Sequence, residues 1–495
     1  MRTTPSDQST RRQFLEETLI LAATAATGQA RASWGAEPPS ATPPTALTSA
    51  NDKLGVAVVG ARVRGGVHLE AFVSRPDTEV RYVVDVDETV GNQRADEVGS
   101  KQGRKPKFVR DMRAAFDDPA VDIVSIATPN HWHALAAFWA MRAGKDVYVE
   151  KPVSHNVAEG RLLVEAARKY GRICQTGTQC RSMAGTIAAI KHVRSGAIGT
   201  VKLARGLCYN PRPSIGAKSD FKPPSEVDYP LWSGPAPLLP ITRPQFHYDW
   251  HWQWPYGNGD LGNQGVHQMD LCRWGLGLNE LSKRVVSYGG RLGPEDAGET
   301  PNTQVVIHEF DDATIVFEVR GLKTSPLRGA SVGVIFYGSD GYVVLTSYTD
   351  GAAFDKQGTL LRTFSGDGDH FANFLSAVRS RKQEDLAADI REGHLSSALC
   401  HTGNISWRLG SAMPLGDARK RLALWTSQDD ALNTFDQFST HLNENGMDPS
   451  NTRINFGAEL VMDSPRETFV DHAEANRLLT REYRAPFTLP TLEQL

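Results

Sequence analysis

Gly60-Ala61-Arg62-Val63-Arg64-Gly65 and, further on, Asp85 are spaced as a dinucleotide site requires. A glycine turn between a strand and a helix bends tightly. It also lets backbone N–H groups reach a pyrophosphate at the helix N-terminus. Gly60 and Gly65 stand at the first and third glycines of a G-x-G-x-x-G pattern, with Arg62 at the second. A side chain there must point outward. The charge of Arg62 then either contacts phosphate or crowds the site, and Arg64 is a second cofactor-binding candidate. Asp85 stands at about the distance expected of a ribose-binding acid. A carboxylate accepts from both ribose hydroxyls and repels a 2′-phosphate, which favours NAD over NADP. The plain alternative is an ordinary turn aspartate.

Such a turn has to be carried by a parallel sheet. Residues 54–60 read as a buried strand running into the glycine turn, followed by a helix through Phe72. The strand 80–84 ends at Asp85. A third buried strand, 121–127, leads into Thr128-Pro129-Asn130-His131-Trp132-His133. A helix over 134–143 and a strand over 146–149 follow, ending in Glu150-Lys151-Pro152. Strands alternating with helices specify an α/β doubly wound parallel sheet, a Rossmann domain expected over residues 51–176. Ligands in such sheets bind beyond the carboxyl ends of the strands. Thr128, Pro129, Asn130, His133, Glu150 and Lys151 fall there and are read as cofactor-binding positions.

The order of these motifs, V-x-I-A-T-P-N-x-x-H and then G-K-x-V-x-x-E-K-P, resembles the glucose–fructose oxidoreductase/inositol dehydrogenase (Gfo/Idh/MocA) family over roughly residues 52–410. The resemblance implies that Lys151 lies beside the nicotinamide and the substrate hydroxyl, with a cis bond before Pro152 aiming it. The run Gly259-Asp260-Leu261-Gly262-Asn263-Gln264-Gly265-Val266-His267-Gln268-Met269-Asp270 resembles the family's D-x-x-x-H motif at a helix start. His267 aligns with its histidine, which implies a base for the hydroxyl proton; Asn263 replaces the aspartate. An amide four residues back orients an imidazole without raising its basicity as a carboxylate does. Asp260, Asp270 or Asp249 could substitute. The plain alternative for His267 is a capping or core histidine. Lys151, His267 and Asn263 are the catalytic candidates. Oxidising an alcohol needs a proton acceptor and a positioned hydride acceptor, and neutral histidine suits the first.

After Gly177 the pattern changes. A helix over 187–194 and strands over 200–206, 303–310, 314–320, 331–337 and 341–345 suggest a second α/β domain over 177–410, with a large mostly antiparallel open sheet. In Phe246-His247-Tyr248-Asp249-Trp250-His251-Trp252-Gln253-Trp254, polar and aromatic residues alternate. An extended segment would separate them into two faces. Indoles stack on sugar C–H surfaces, so Trp250, Trp252 and Asp249 join Arg181, Tyr209 and His267 as substrate candidates. The competing reading is a buried aromatic cluster at a domain or subunit contact. A metal site at His247, Asp249 and His251 is not expected.

The chain has 495 residues, 54 basic against 57 acidic, for a net charge of −3. No basic field invites nucleic acid. The five scattered cysteines form no C-x-x-C pair and read as buried small hydrophobes. Residues 9–15 resemble a twin-arginine export signal; an apolar run over 19–27 and an Ala30-Arg31-Ala32 cleavage site follow. The apolar run is too short for a membrane anchor. A signal over 1–32, a flexible spacer over 33–50 and a periplasmic destination are therefore expected. That route carries folded proteins to a compartment without free nicotinamide dinucleotide, so the cofactor should be tightly held and recycled. Residues 411–495 read as a C-terminal extension and closing arm, with a short helix over 473–483. A homo-oligomer is expected.

The leading reading is an NAD-dependent oxidoreductase acting on a sugar, inositol or related polyol. A redox-neutral NAD-dependent glycosidase or lyase is the second, and a non-catalytic sugar-binding protein with a vestigial Rossmann fold the third.

Overall fold

A computed structural model describes residues 53–426 and 429–495. The expected signal and spacer lie outside the described residues. Short apolar runs rich in valine and isoleucine become the first sheet: β1 (Leu54–Val59), β2 (Thr78–Val84), β3 (Lys107–Val109), β4 (Ile123–Ile126), β5 (Asp146–Val149) and β6 (Cys174–Thr176). All neighbours are parallel in the order β3-β2-β1-β4-β5-β6, the doubly wound arrangement. Helices α1 (Val63–Val73), α2 (Glu88–Gln102), α3 (Asn130–Arg142) and α4 (Val157–Lys169) cover its faces. Helix α3 starts four residues before its expected position, because Pro129 takes the N-cap position and fixes the backbone there.

Beyond α5 (Ala184–Arg194), strand β7 (Val201–Tyr209) opens the second sheet. Helix α6 (Gly265–Leu276) follows, then β8 (Arg284–Gly290), β9 (Thr303–Glu309), β10 (Thr314–Arg320), β11 (Val332–Gly338), β12 (Gly341–Leu345), β13 (Gly351–Asp355) and β14 (Leu360–Phe364). Among the described residues this sheet has twelve strands, with the path β14-β13-β12-β11-β7-β10-β9-β8 continuing into two later strands. The neighbours are antiparallel except for β7 and β10. Helix α7 (His370–Ser380) packs back on the first sheet through Phe371 and Phe374. Helices α6 and α8 (Ile390–Arg408) bury the inner face of the second sheet; Ala204 and Cys208 of β7 point to them, among Met269, Cys272 and Leu399. All five cysteines are buried and unbonded to one another.

The tail belongs to this body. Strands β15 (Ser411–Pro414) and β16 (Arg453–Phe456) extend the sheet beyond β8. Helices α9 (Leu415–Trp425) and α10 (Asp429–Glu444) cover its outer face with Leu415, Leu422, Phe435 and Phe438. The expected helix over 473–483 is a single turn, Ala473–Arg477. The last residues return to the Rossmann half: Phe487 meets the rings of Trp132 (5.4 Å) and Trp139 (6.3 Å), and Tyr483 donates to Glu159 (3.1 Å).

Candidate active site

The turn after β1 is built for close approach. Gly60 has φ +82°, and a Cβ there would lie 2.7 Å from the Ala127 carbonyl; one at Gly65 would lie 1.7 Å from the Gly60 carbonyl. Only glycine lets the strand end, the turn and α1 pack this tightly. No side chain caps α1 and its first turn holds no acid, so its leading N–H groups suit an anion. Arg62, at its N-cap, turns outward to Asp87 (3.6 Å) and does not fill the turn. Asp85 ends β2; its two oxygens accept from the backbone of Ala61 (2.7 Å) and Asp87 (2.9 Å), tying the strand end to the glycine turn. Burial pushes its carboxyl above the ordinary value despite those bonds. The side-chain hydroxyl of Thr128 at the end of β4 is buried with no partner. Free helix N–H groups, the glycine cradle and this orphaned hydroxyl fit a dinucleotide.

Glu150 ends β5 and organises one side of the cleft. Its Oε1 meets Arg64 Nε (2.7 Å), His68 Nε2 (3.2 Å) and Gln179 Nε2 (3.2 Å). Burial opposes its charge, but Arg64, His68 and Lys151 outweigh that and hold the carboxyl well below the usual range. Arg64 is thereby drawn toward the E-K-P turn. His133 contacts main chain: Nδ1 lies 2.6 Å from the Pro152 carbonyl and Nε2 2.7 Å from that of Thr128. It joins the T-P-N and E-K-P turns, which corrects its reading as a cofactor contact. Asn130 bonds Asn258 (3.2 Å) and plays a similar bracing part.

The Lys151–Pro152 bond is cis. The Lys151 ammonium reaches across the cleft to Asn263, meeting its carbonyl O at 3.2 Å and Oδ1 at 3.3 Å. Asn263 does not stack over His267 on one helix, as expected from the spacing. Its backbone (φ −92°, ψ −81°) breaks the chain between the turn Gly259–Gly262 and α6, so its amide serves the lysine. His267 sits in the first turn of α6, buried, with Nδ1 unpartnered. Burial, then the charge of Lys151, holds its imidazole well below its ordinary value. The three acids considered as substitutes for the missing aspartate are committed elsewhere: Asp270 to Arg181, Asp260 to Arg212 and Trp252, Asp249 to the Gln245 backbone.

Tyr348, between β12 and β13, was not legible in the sequence. Its ring lies 4.9 Å from that of His267, its hydroxyl accepts from Gln264 (3.2 Å), and burial pushes its pKa up, keeping it a donor. His68 was also missed, although it lies one turn after Arg64 on α1.

Of the other expected substrate contacts, Arg181 and Tyr209 are committed elsewhere. Arg181 is buried in a bidentate pair with Asp270 (2.8 and 2.9 Å) and also meets Glu392 (2.9 Å), holding α6 to α8. Tyr209 projects from the outer face of the second sheet and donates to Glu318 (3.0 Å). The 246–254 segment is not extended. It folds into a helical turn, Asp249–Trp252, through bonds such as His251 N to Tyr248 O. Trp250 stacks on His251 (3.7 Å) and both Trp250 and Trp252 are buried. Phe246 joins Trp232 and Tyr256 around the buried Arg243, whose guanidinium lies 5.0 to 5.2 Å from the three rings. His247 turns to Asp87 (3.4 Å), away from the neighbours with which it could have bound a metal.

Fold and cleft together define a Rossmann oxidoreductase. Residues 54–178 match the profile of an oxidoreductase family, NAD-binding Rossmann fold, and residues 215–438 match that family's C-terminal alpha/beta domain. The chain belongs to the Gfo/Idh/MocA family of oxidoreductases. It is 25% identical to a levoglucosan dehydrogenase of Pseudarthrobacter phenanthrenivorans over 319 residues, 59% of this chain and 73% of that protein. It is 27% identical to a glycosyl hydrolase family 109 protein of Shewanella baltica over 152 residues, 30% of this chain and a third (33%) of that protein's length. A solved levoglucosan dehydrogenase in complex with NADH and levoglucosan shares the fold, with TM-score 0.54 and 20% identity, covering 70% of this chain and 95% of that one.

Proposed function

We propose that this chain is an NAD-dependent oxidoreductase removing a hydride from a hydroxyl-bearing carbon of a sugar, an inositol or a related polyol. The observation that carries the reading is Lys151, its ammonium 3.2 Å from the Asn263 carbonyl at the mouth of the cleft, with His267 opening the next helix. The nicotinamide, when bound, supplies the hydride acceptor. His267, neutral because its pKa is depressed, takes the hydroxyl proton. Lys151 stabilises the developing alkoxide, and Tyr348 donates a hydrogen bond to a substrate oxygen. Gly60, Gly65 and the start of α1 cradle the pyrophosphate. Asp85 faces the ribose and selects NAD over NADP. In this reading residues 9–15 act as a twin-arginine signal, the enzyme works in the periplasm as a homo-oligomer, and it keeps and recycles its cofactor.

The test is to release and identify the nucleotide that purifies with the protein, then follow reduction of the bound nicotinamide after adding a panel of sugars and polyols. Lys151→Ala should lower that rate by about 10²–10³-fold while leaving the nucleotide bound. Wild-type activity in the variant would remove Lys151 from its role, and an absent nucleotide would end the reading. A redox-neutral glycosidase is the second reading, favoured by Asn263 standing where a carboxylate was expected and by the similarity to a family 109 protein. Cleavage of a glycosidic bond without net nicotinamide reduction would distinguish it.

A further inference from the structure

Three segments far apart in sequence meet behind the Lys151 cleft. One runs from the E-K-P turn through His155 into α4. A second, 254–263, carries the turn Gly259–Gly262 and ends at Asn263, where the Lys151 ammonium docks. Asn258 joins the two: its Nδ2 donates to the His155 carbonyl (3.0 Å), and its Oδ1 accepts from Asn130 (3.2 Å). Lys151 precedes His155 by four residues, and Asn263 follows Asn258 by five. The lysine contact in front and the Asn258 contact behind therefore close a small ring. A shift at the back is carried to the front over two short spans.

The third segment is the closing arm, which sends Arg481 into the back of this ring. Arg481 Nη1 donates to the Pro255 carbonyl (3.0 Å) and lies 3.3 Å from His155 Nδ1. His155 Nε2 is 2.8 Å from the Trp254 carbonyl, which can only accept, so Nε2 carries the ring proton and Nδ1 accepts from Arg481. Burial, then the charge of Arg481, holds this imidazole well below its ordinary value and keeps it neutral. Arg481 Nε faces Glu159 at 3.6 Å, and Glu159 takes the His155 N–H (2.7 Å). One guanidinium thus touches both segments at once, and a planar fork holds such a pair at a fixed separation.

Anchoring of the arm does not require this contact. Phe487 and Tyr483 already hold the arm to α3 and α4. Arg481 Nη2 is buried without an acceptor among the described residues, a cost that the placement at Pro255 and His155 has to offset. We infer that Arg481 is a positioning residue of the Lys151 cleft: it clamps the His155 and Pro255 segments together from the arm and so fixes, through Asn258, where Asn263 receives the lysine ammonium. Its effect on turnover rests on the oxidoreductase reading; the clamp itself is a property of the fold.

The test uses the full-length protein with whatever nucleotide it carries. Arg481→Ala alone would strand the buried Glu159 carboxylate, so it is made together with Glu159→Gln and compared with Glu159→Gln alone. Against that background, amide exchange at 255–263 should rise about 10-fold or more, while β4 and β5 keep their protection. With a sugar or polyol that the wild type oxidises, kcat should fall about 10-fold or more. KM and bound nucleotide should stay unchanged, because the displaced lysine acts on the developing alkoxide. Tyr483→Phe, which removes a bond of the arm to Glu159 without touching Pro255 or His155, should change neither readout. The inference is overturned by unchanged exchange at 255–263, by a rise shared equally with Tyr483→Phe, by protection lost uniformly along the chain, or by a kcat equal to that of Glu159→Gln. If no sugar or polyol reduces the wild-type nicotinamide, the oxidoreductase reading fails, and the exchange result alone decides on Arg481.

Discussion

His267 and Lys151 face the same cleft with opposite electrostatic needs. The imidazole is buried and lies under the influence of an ammonium, and both effects favour its neutral form. A neutral imidazole can accept the hydroxyl proton; a protonated one cannot. Oxidation should therefore persist as the pH falls through the ordinary histidine range and decline only below it. His267→Ala should lower the rate by about 10²–10⁴-fold and erase that acid limb, read from initial rates of nicotinamide reduction across pH. An unchanged profile would make His267 structural. Asn263 shows what one amide for one carboxylate does here: it gives the Lys151 ammonium two neutral oxygens as a docking point.

At the scale of elements, the Rossmann half was readable because its strands are unbroken buried runs punctuated by glycine, aspartate and proline. Strand ends followed from that pattern to within two residues, the short strands β3 and β6 went unread, and β10 and β12 of the second sheet were located to the residue. The loop before α6 was not readable. Its alternation of rings and polar groups mimics a strand, but Phe246 packs on Arg243, Trp250 on His251 and Trp252 beside Arg212, while the polar groups close local turns, and neither demand is visible along the chain. Asp249 records the cost. Burial pushes its carboxyl up to about 6, so the charged form opposes folding, and the penalty grows as pH rises from the unfolded value through 6. Asp249→Asn should therefore stabilise the protein above pH 6 by on the order of 2 kcal/mol and have little effect near pH 4. Urea unfolding at the two pH values decides it; equal effects would contradict the buried-charge account. Helices α9 and α10 were legible and went unread: Leu415, Ala418, Leu422 and Trp425, then Phe435, Phe438 and Leu442, repeat at helical spacing.

At the scale of the whole molecule, the path of the tail decides how the two sheets depend on each other. Strands within residues 411–469 extend the second sheet, whereas Phe487 and Tyr483 pack on α3 and α4 of the first. Phe487 is 8% exposed and wedged between two indoles. Phe487→Ala should cost about 3 kcal/mol and raise amide exchange chiefly in α3 and α4, with the second sheet unaffected. Uniform loss of protection across both sheets would show that the arm holds no particular half.

This routing also sets an order of events during biosynthesis. The Rossmann strands leave the ribosome early, yet Phe487, the cover over Trp132 and Trp139, is translated far downstream of them. The nucleotide-binding half thus waits for that distant segment before its hydrophobic surface is fully shielded, and a chain cut short before Phe487 would present that indole patch to the cell's quality-control machinery.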